Sequence, residues 1–138
     1  MDTLGRHLLG EFYGCDRDLL DDVEAVTDLL LAAATAVGAT VVAHAFHRYE
    51  PHGVSGTLLI AESHLSVHTW PEHGYVAVDI FTCGGLDPRP GFELIAERLH
   101  ATSTRQHEIW RGLPEHLDRH VAPDDVRLIT RSDPLVRR

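Results

Sequence analysis

The sequence predicts an α+β domain, an antiparallel sheet with helices on one face. Three observations predict it. The predicted elements run β-α-β-β-β-α-β, as two half-domains that each lay a helix across strands. The two middle strands each carry one aliphatic face and one face of small, polar or reactive residues. Finally, 138 residues with 43% hydrophobic content suit one domain, 1–138, that buries a core without disulfides.

The first strand is read in "HLLGEFYGC", 7–15, where aromatic and aliphatic residues mix before a turn-like "GCDRD". Asp16 or Asp18 then caps a helix. Leu19, Val23, Val26, Leu30, Ala33 and Val37 recur at three- and four-residue spacing, an apolar helical stripe, and Gly38 ends it. "ATVVAHAFHRY", 39–49, is β-rich and reads as the second strand, with Pro51 and Gly53 in the turn after it.

Strands at about 54–63 and 74–83 come next, with "TWPEHG" between them supplying the turn. Val54, Leu58 and Ile60 share one face of the earlier strand; Val76, Val78 and Ile80 share one face of the later. These aliphatic faces should meet the helices. Ser55, Ser63, Asp79 and Cys83 fall on the opposite face, which a second layer or a second subunit would have to cover. A hairpin pivoting on Glu72 sets Ser63 opposite Phe81, with Cys83 a diagonal neighbour at roughly 7 Å. His68 has the wrong parity to join Ser63, so a bend between them is expected if the two cooperate. "LDPRPGFELIAERLHA" reads as a second helix with Phe92, Ile95 and Leu99 on one stripe, and "TRQHEIW" as a last strand. From about residue 111 the signal weakens to one short β-like piece and a charged end.

Twenty-one acidic against twelve basic residues give a net charge of −9 with histidine neutral. That balance disfavours nucleic acid and suits a cationic small molecule. The longest apolar run is too short to cross a bilayer, so no membrane association is expected. No basic run leads into an apolar stretch near residue 1, and the two cysteines, Cys15 and Cys83, read as free thiols. A reducing, cytoplasmic setting is expected.

The chemistry concentrates in "ESHLSVH", 62–68. His64 and His68 invite a metal, but zinc needs three or four converging ligands and this segment reads as strand, so no metal site is expected. Ser63, His68 and Asp79 would compose a hydrolytic triad, yet the glycine-flanked serine elbow is absent. Cys83 with a histidine is equally unspecific. Each of these residues alone is better read as a hydrogen-bonded sheet residue or a small buried hydrophobe.

The longer segment "FHRYEPHGVSGTLLIAESHLSVHTWPEHGYVAVDIFTCGG", with its blocks "GVSG", "ESHLSVHTWPE" and "DIFTCG" in order, resembles the core of bacterial S-adenosylmethionine decarboxylase proenzymes. "GRHLLGEFYGCDRDLLDD" resembles the opening of that family, and the resemblance covers roughly residues 4–110. It implies an αββα sandwich in which two protomers pack their sheets together, helices outside, and share each active site as a homodimer. It implies self-cleavage between Glu62 and Ser63, leaving chains 1–62 and 63–138, with Ser63 converted to a pyruvoyl cofactor. His68 matches the processing base, Ser55 a residue assisting it by hydrogen bonding, and Cys83 the proton donor of decarboxylation. Glu72 matches a carboxylate holding ribose hydroxyls or a cationic group. Tyr49 stands where an aromatic, commonly phenylalanine, stacks on adenine, and Leu65 and Val67 are expected to line the pocket. The implied activity is decarboxylation of S-adenosylmethionine to the aminopropyl donor for spermidine synthesis. Two alternatives remain at this point: the same chemistry on arginine or ornithine, and a binding or regulatory homologue that never processes.

Overall fold

The computed structural model describes residues 3–117 and the backbone of 129–130. Strand β1 is Gly5–Tyr13, helix α1 Arg17–Leu20, helix α2 Val23–Val37, and strands β2 to β5 are Thr40–Arg48, Val54–Ala61, Ser63–Trp70 and Tyr75–Cys83. Helix α3 is Arg89–Arg98, β6 is Ser103–Arg111 and β7 is the two-residue pair Ile129–Thr130. All strands join one antiparallel sheet in the order β2-β3-β4-β5-β1-β6-β7. The chain from β2 to β5 is a meander, and β1 is inserted between β5 and β6.

The helical segment expected from Asp16 onward divides in two, because both aspartates that can cap do so. Asp16 accepts from the Asp18 and Leu19 amides and starts α1; Asp22 accepts from the Glu24 and Ala25 amides at 3.0 and 3.1 Å and starts α2. Gly38, at φ 83°, ends α2 in the left-handed conformation that glycine adopts without strain.

Helices α2 and α3 pack on each other and on one face of the sheet. Leu30 and Ala33 of α2 and Ile95 of α3 are fully buried there against Leu8, Phe12, Leu58, Leu65, Val67 and Ile80. The aliphatic faces of the middle strands do meet the helices, as alternation predicts. Burying these side chains stabilises the domain by about 25 cal/mol for each Å² of apolar surface removed from water. The opposite, open face has no helix over it among the described residues.

One element differs from the sequence reading. The strand expected over 54–63 stops at Ala61, and residues 63–70 form a strand of their own, β4. Two hairpins exist where one was expected. The first reverses at Ala61-Glu62, since Ile60 pairs with Ser63; the second reverses through the 3-10 turn Pro71–His73. Glu72 is therefore at a turn, but the register places Ser63 opposite Thr82, one residue from the expected Phe81. The bend expected between Ser63 and His68 is absent, because β4 is unbroken from Ser63 to Trp70. Of the weak tail, β7 is described; the rest of the tail lies outside the described residues.

Candidate active site

The β3–β4 hairpin turns without glycine. The positive φ that such a tight reversal needs falls on Ser63, at 111°. A side chain with a β-carbon is strained there, by about 1–3 kcal/mol. The rotation concerned is about the Ser63 N–Cα bond, next to the Glu62–Ser63 peptide. The strain is thus held beside the bond at which the resemblance places the cut. Leu65 and Val67, on the strand that follows, anchor the turn by being fully buried.

Cys83 closes β5 beside this turn. Ser63 Oγ and Cys83 Sγ are 3.1 Å apart, within hydrogen-bond reach and closer than the diagonal spacing the sequence implies. The thiol is half-buried. Ala61, Glu62, Cys83, Gly84 and Leu86 line a cleft of about 280 Å³ against the turn.

The remaining expected residues lie elsewhere. His68 faces the open side and is the cross-strand partner of Ser55, with Ser55 Oγ 2.7 Å from His68 Nδ1. Glu72 sits in the next turn, paired with His52, and Tyr49 projects half-exposed with its ring against His47. Five residue steps of unbroken strand lead from Ser63 to His68, about 16 Å at the rise of a β-strand. One chain therefore gathers Glu62, Ser63 and Cys83 at one end of β4, and Ser55, His68, Glu72 and Tyr49 at the other. It does not bring the two groups together.

One expectation is corrected, and the triad set aside in the sequence is absent too. Leu65 and Val67 do not present their side chains to an open pocket. They share the parity of Thr69, face the helices and are wholly buried in the core. The Ser63, His68 and Asp79 triad is not assembled either, because Asp79 is held by other groups. Its carboxylate lies 2.8 Å from His7 Nε2 and accepts from Ser66 Oγ at 2.8 Å. Among the described residues, no three His, Cys, Asp or Glu side chains converge as a metal would require. No helix among them is long and apolar enough to cross a membrane.

The network around Asp79 is one that sequence reasoning missed. His7 stacks on Phe81, and His64 lies edge-on to both rings. The signal available was parity: Ser66 and Asp79 are direct partners across β4 and β5 on the open face. The His7 hydrogen bond holds the Asp79 carboxyl below the usual carboxylate range, and burial, with His7 alongside, lowers His64. Both groups bind fewer protons folded than unfolded, so both make stability fall as pH falls. The His64 contribution is present above its unfolded value of about 6.5 and is lost first; that of Asp79 is lost below about 4. At fixed protein concentration, the urea midpoint of His64→Gln should fall less between pH 7.5 and pH 5.5 than that of the parent. An equal fall would contradict this assignment.

Along the same face, His68, Trp70, Tyr75 and Tyr13 form a continuous row of ring contacts, 6.4, 5.2 and 5.3 Å between successive centroids. Tyr75 and Tyr13 both donate to Glu11 Oε2, at 2.6 and 3.0 Å. Burial first, then the Glu11 carboxylate, raises the Tyr75 phenol above its ordinary value, so it remains a donor.

Comparison with known proteins shows the family. The family model described as S-adenosylmethionine decarboxylase matches residues 6–112. An S-adenosylmethionine decarboxylase proenzyme of Caldanaerobacter subterraneus is 52% identical over 116 residues, covering 83% of this chain and 94% of that protein. One from Thermotoga maritima is 49% identical over 125 residues, with the same coverage. The crystal structure of the adenosylmethionine decarboxylase from Aquifex aeolicus VF5 matches with a TM-score of 0.77 at 35% identity, covering 87% of this chain and all of that one. This chain belongs to the S-adenosylmethionine decarboxylase family.

Proposed function

We propose that this chain is a proenzyme that cuts itself between Glu62 and Ser63 and then decarboxylates S-adenosylmethionine. The observation that carries the reading is Ser63: a serine at φ 111° in a glycine-free turn, its hydroxyl 3.1 Å from the Cys83 thiol.

In the cut, Ser63 Oγ adds to the Glu62 carbonyl carbon, the C–N bond breaks, and the amide becomes an ester. Departure from φ 111° relieves the strain and favours this step. A base then takes the Ser63 α-proton, the Cβ–Oγ bond breaks, and Glu62 leaves as a carboxylate. The dehydroalanine left on residue 63 takes up water and releases ammonia, giving a pyruvoyl group. The site fits that group, since it replaces Ser63 in place, beside the same thiol and cleft. When formed, the pyruvoyl carbonyl supplies an electron sink for the loss of carbon dioxide. Cys83 then stands within reach to deliver a proton to the reacting carbon, a general acid by position.

His68 is the base this scheme needs, and in its own chain it stands about 16 Å from Ser63. A second copy resolves this. Two sheets packed through their open faces about a two-fold axis set one protomer's Ser55–His68 end over its partner's Ser63–Cys83 end, and produce two identical sites. With His68 Nδ1–H donating to Ser55 Oγ, Nε2 is the basic nitrogen directed to the partner's serine. Glu72 and Tyr49 arrive with His68, as contacts for ribose hydroxyls or a cationic group and for adenine. The half-exposed Trp70 and Tyr13 and the His7–Asp79 network are then covered as well.

The test is intact mass followed by turnover. The purified protein should consist of fragments 1–62 and 63–138, the second blocked by a pyruvoyl group. It should release carbon dioxide from S-adenosylmethionine in preference to arginine or ornithine. Turnover of only arginine or ornithine would overturn the substrate reading, and a chain that stays whole would overturn the self-cleavage.

A further inference from the structure

We infer that Asp21 and Arg48, neither of which touches the reacting atoms, form a clamp that positions the adenosine-binding loop. This rests on the reading of Tyr49 and Glu72 as substrate contacts. Loop 49–53 carries Tyr49, whose amide donates to the Gly53 carbonyl at 2.7 Å, and His52, which is paired with Glu72. The loop alone has little to hold it, as a five-residue connection with Gly53 at φ 105°. Asp21, at the junction of α1 and α2, supplies the hold. One carboxylate oxygen accepts from the Gly53 amide at 2.9 Å, and the other from Arg48 Nη2 at 2.8 Å. Arg48 then fastens the near side of the loop, donating to the Asp21 carbonyl at 3.2 Å, the Pro51 carbonyl at 3.2 Å and Glu50 at 2.9 Å.

A second tie runs beneath. Thr69 Oγ1, buried, donates to the Leu20 carbonyl at 2.7 Å and accepts from the Val54 amide at 2.9 Å. Leu20 and Asp21 are adjacent in sequence, so one short stretch of chain holds the loop through Asp21 and strands β3 and β4 through Leu20. Charge-assisted bonds of this kind fix direction as well as distance, because the guanidinium presents its donors in a rigid plane. Loosening the grip would let Tyr49 and Glu72 wander by more than the fraction of an ångström that a positioned ligand tolerates. The turn at Ser63 and the thiol of Cys83 are at the other end of β4, and His68 is held by the β3–β4 pairing and by Ser55 rather than by the loop, so the groups of the cut do not depend on it.

The variants are Asp21→Asn and Arg48→Gln, singly and together, read on the processed enzyme. Asp21→Asn preserves shape and the acceptor facing Gly53 but removes the charge facing Arg48. Expected are normal cleavage by mass, kcat within about twofold of the parent, and a KM for S-adenosylmethionine raised about tenfold, equivalent to about 1.4 kcal/mol. The double variant should be no worse than the worse single one, since the two residues act as one unit. Phenylhydrazine, a carbonyl reagent with no adenosine to place, should trap the pyruvoyl group at the parent's rate. An unchanged KM would overturn the clamp; so would a parallel loss of cleavage, kcat and phenylhydrazine reactivity, the mark of general damage. If the parent cleaves but ignores S-adenosylmethionine, the substrate reading fails instead. The clamp is then decided by amide exchange: faster exchange confined to residues 49–53 in Asp21→Asn supports it, and unchanged exchange removes it.

Discussion

Ser63→Ala should leave the chain whole. The substitution removes the hydroxyl that the proposed cut uses as its nucleophile, while alanine, smaller by one oxygen, fits the same φ 111° turn. Leu65, Val67 and the β4 pairings on either side of the turn are untouched. The variant should therefore fold and assemble like the parent, and show one species at the full-length mass after days under native conditions. Decarboxylation should fall below detection, because no cofactor forms. The strain beside residue 63 is not by itself enough to break an amide, so strain without the hydroxyl yields nothing. Cleavage of this variant at the parental rate would mean that another group attacks the bond.

Cys83→Ala should separate the two stages. The thiol is 3.1 Å from Ser63 Oγ, but the proposed scheme gives the base of the cut to His68, so cleavage should still go largely to completion. Turnover needs a proton delivered at the reacting carbon, and a positioned general acid contributes about 10²–10⁴-fold. The processed variant should lose activity by about that factor while still reacting with a carbonyl reagent. Cys83→Ser keeps the hydrogen-bonding geometry but is a far weaker acid, and should recover little. Parental turnover in Cys83→Ala would remove the proton-donor role.

How far the sequence revealed this protein varies by element, for physical reasons. Helix α2 and strand β5 were legible because burial on one face imposes a period, 3.6 in the one and 2 in the other. Gly38 and the Pro71 to Gly74 turn announced themselves by residue type. Strand β4 was missed because the reversal before it has no such residue. Ala61, Glu62 and Ser63 contain neither glycine, proline nor asparagine, and the positive φ falls on the serine. A local rule is broken at the residue to which the proposed cut assigns the chemistry, and functional residues are where such failures are expected. With β4 unseen, Leu65 and Val67 were not recognised as core residues, though their alternation with Ser66 and His68 encodes it.

The candidate site residues come from the resemblance, and their arrangement was not legible in the sequence. Alternation assigns a residue to a face, and so placed Ser55 and Cys83 together on the open side; it put Ser63 there too, whereas β4 gives residue 63 the parity of the buried Leu65 and Val67. Alternation says nothing of which end of the sheet a residue occupies once register is unknown. The separation of Ser63 from His68 needed the pairings Ile60 with Ser63 and Ser55 with His68. The Asp21–Arg48 contact joins residues 27 apart in sequence, and no periodic signal reports such a pair.

That separation makes the central claim, that two chains build each site, open to a direct measurement. Ser63→Ala and His68→Ala chains, tagged to differ in mass, are made separately and then co-expressed. Neither alone should be cleaved appreciably. In mixed dimers one site joins an intact Ser63 from the His68→Ala chain with an intact His68 from its partner. The account predicts cleavage of the His68→Ala chain only, at Glu62–Ser63, with activity restored in proportion to the mixed dimers. Cleavage of the His68→Ala chain on its own at the parental rate, or no cleavage in the mixture, would contradict it.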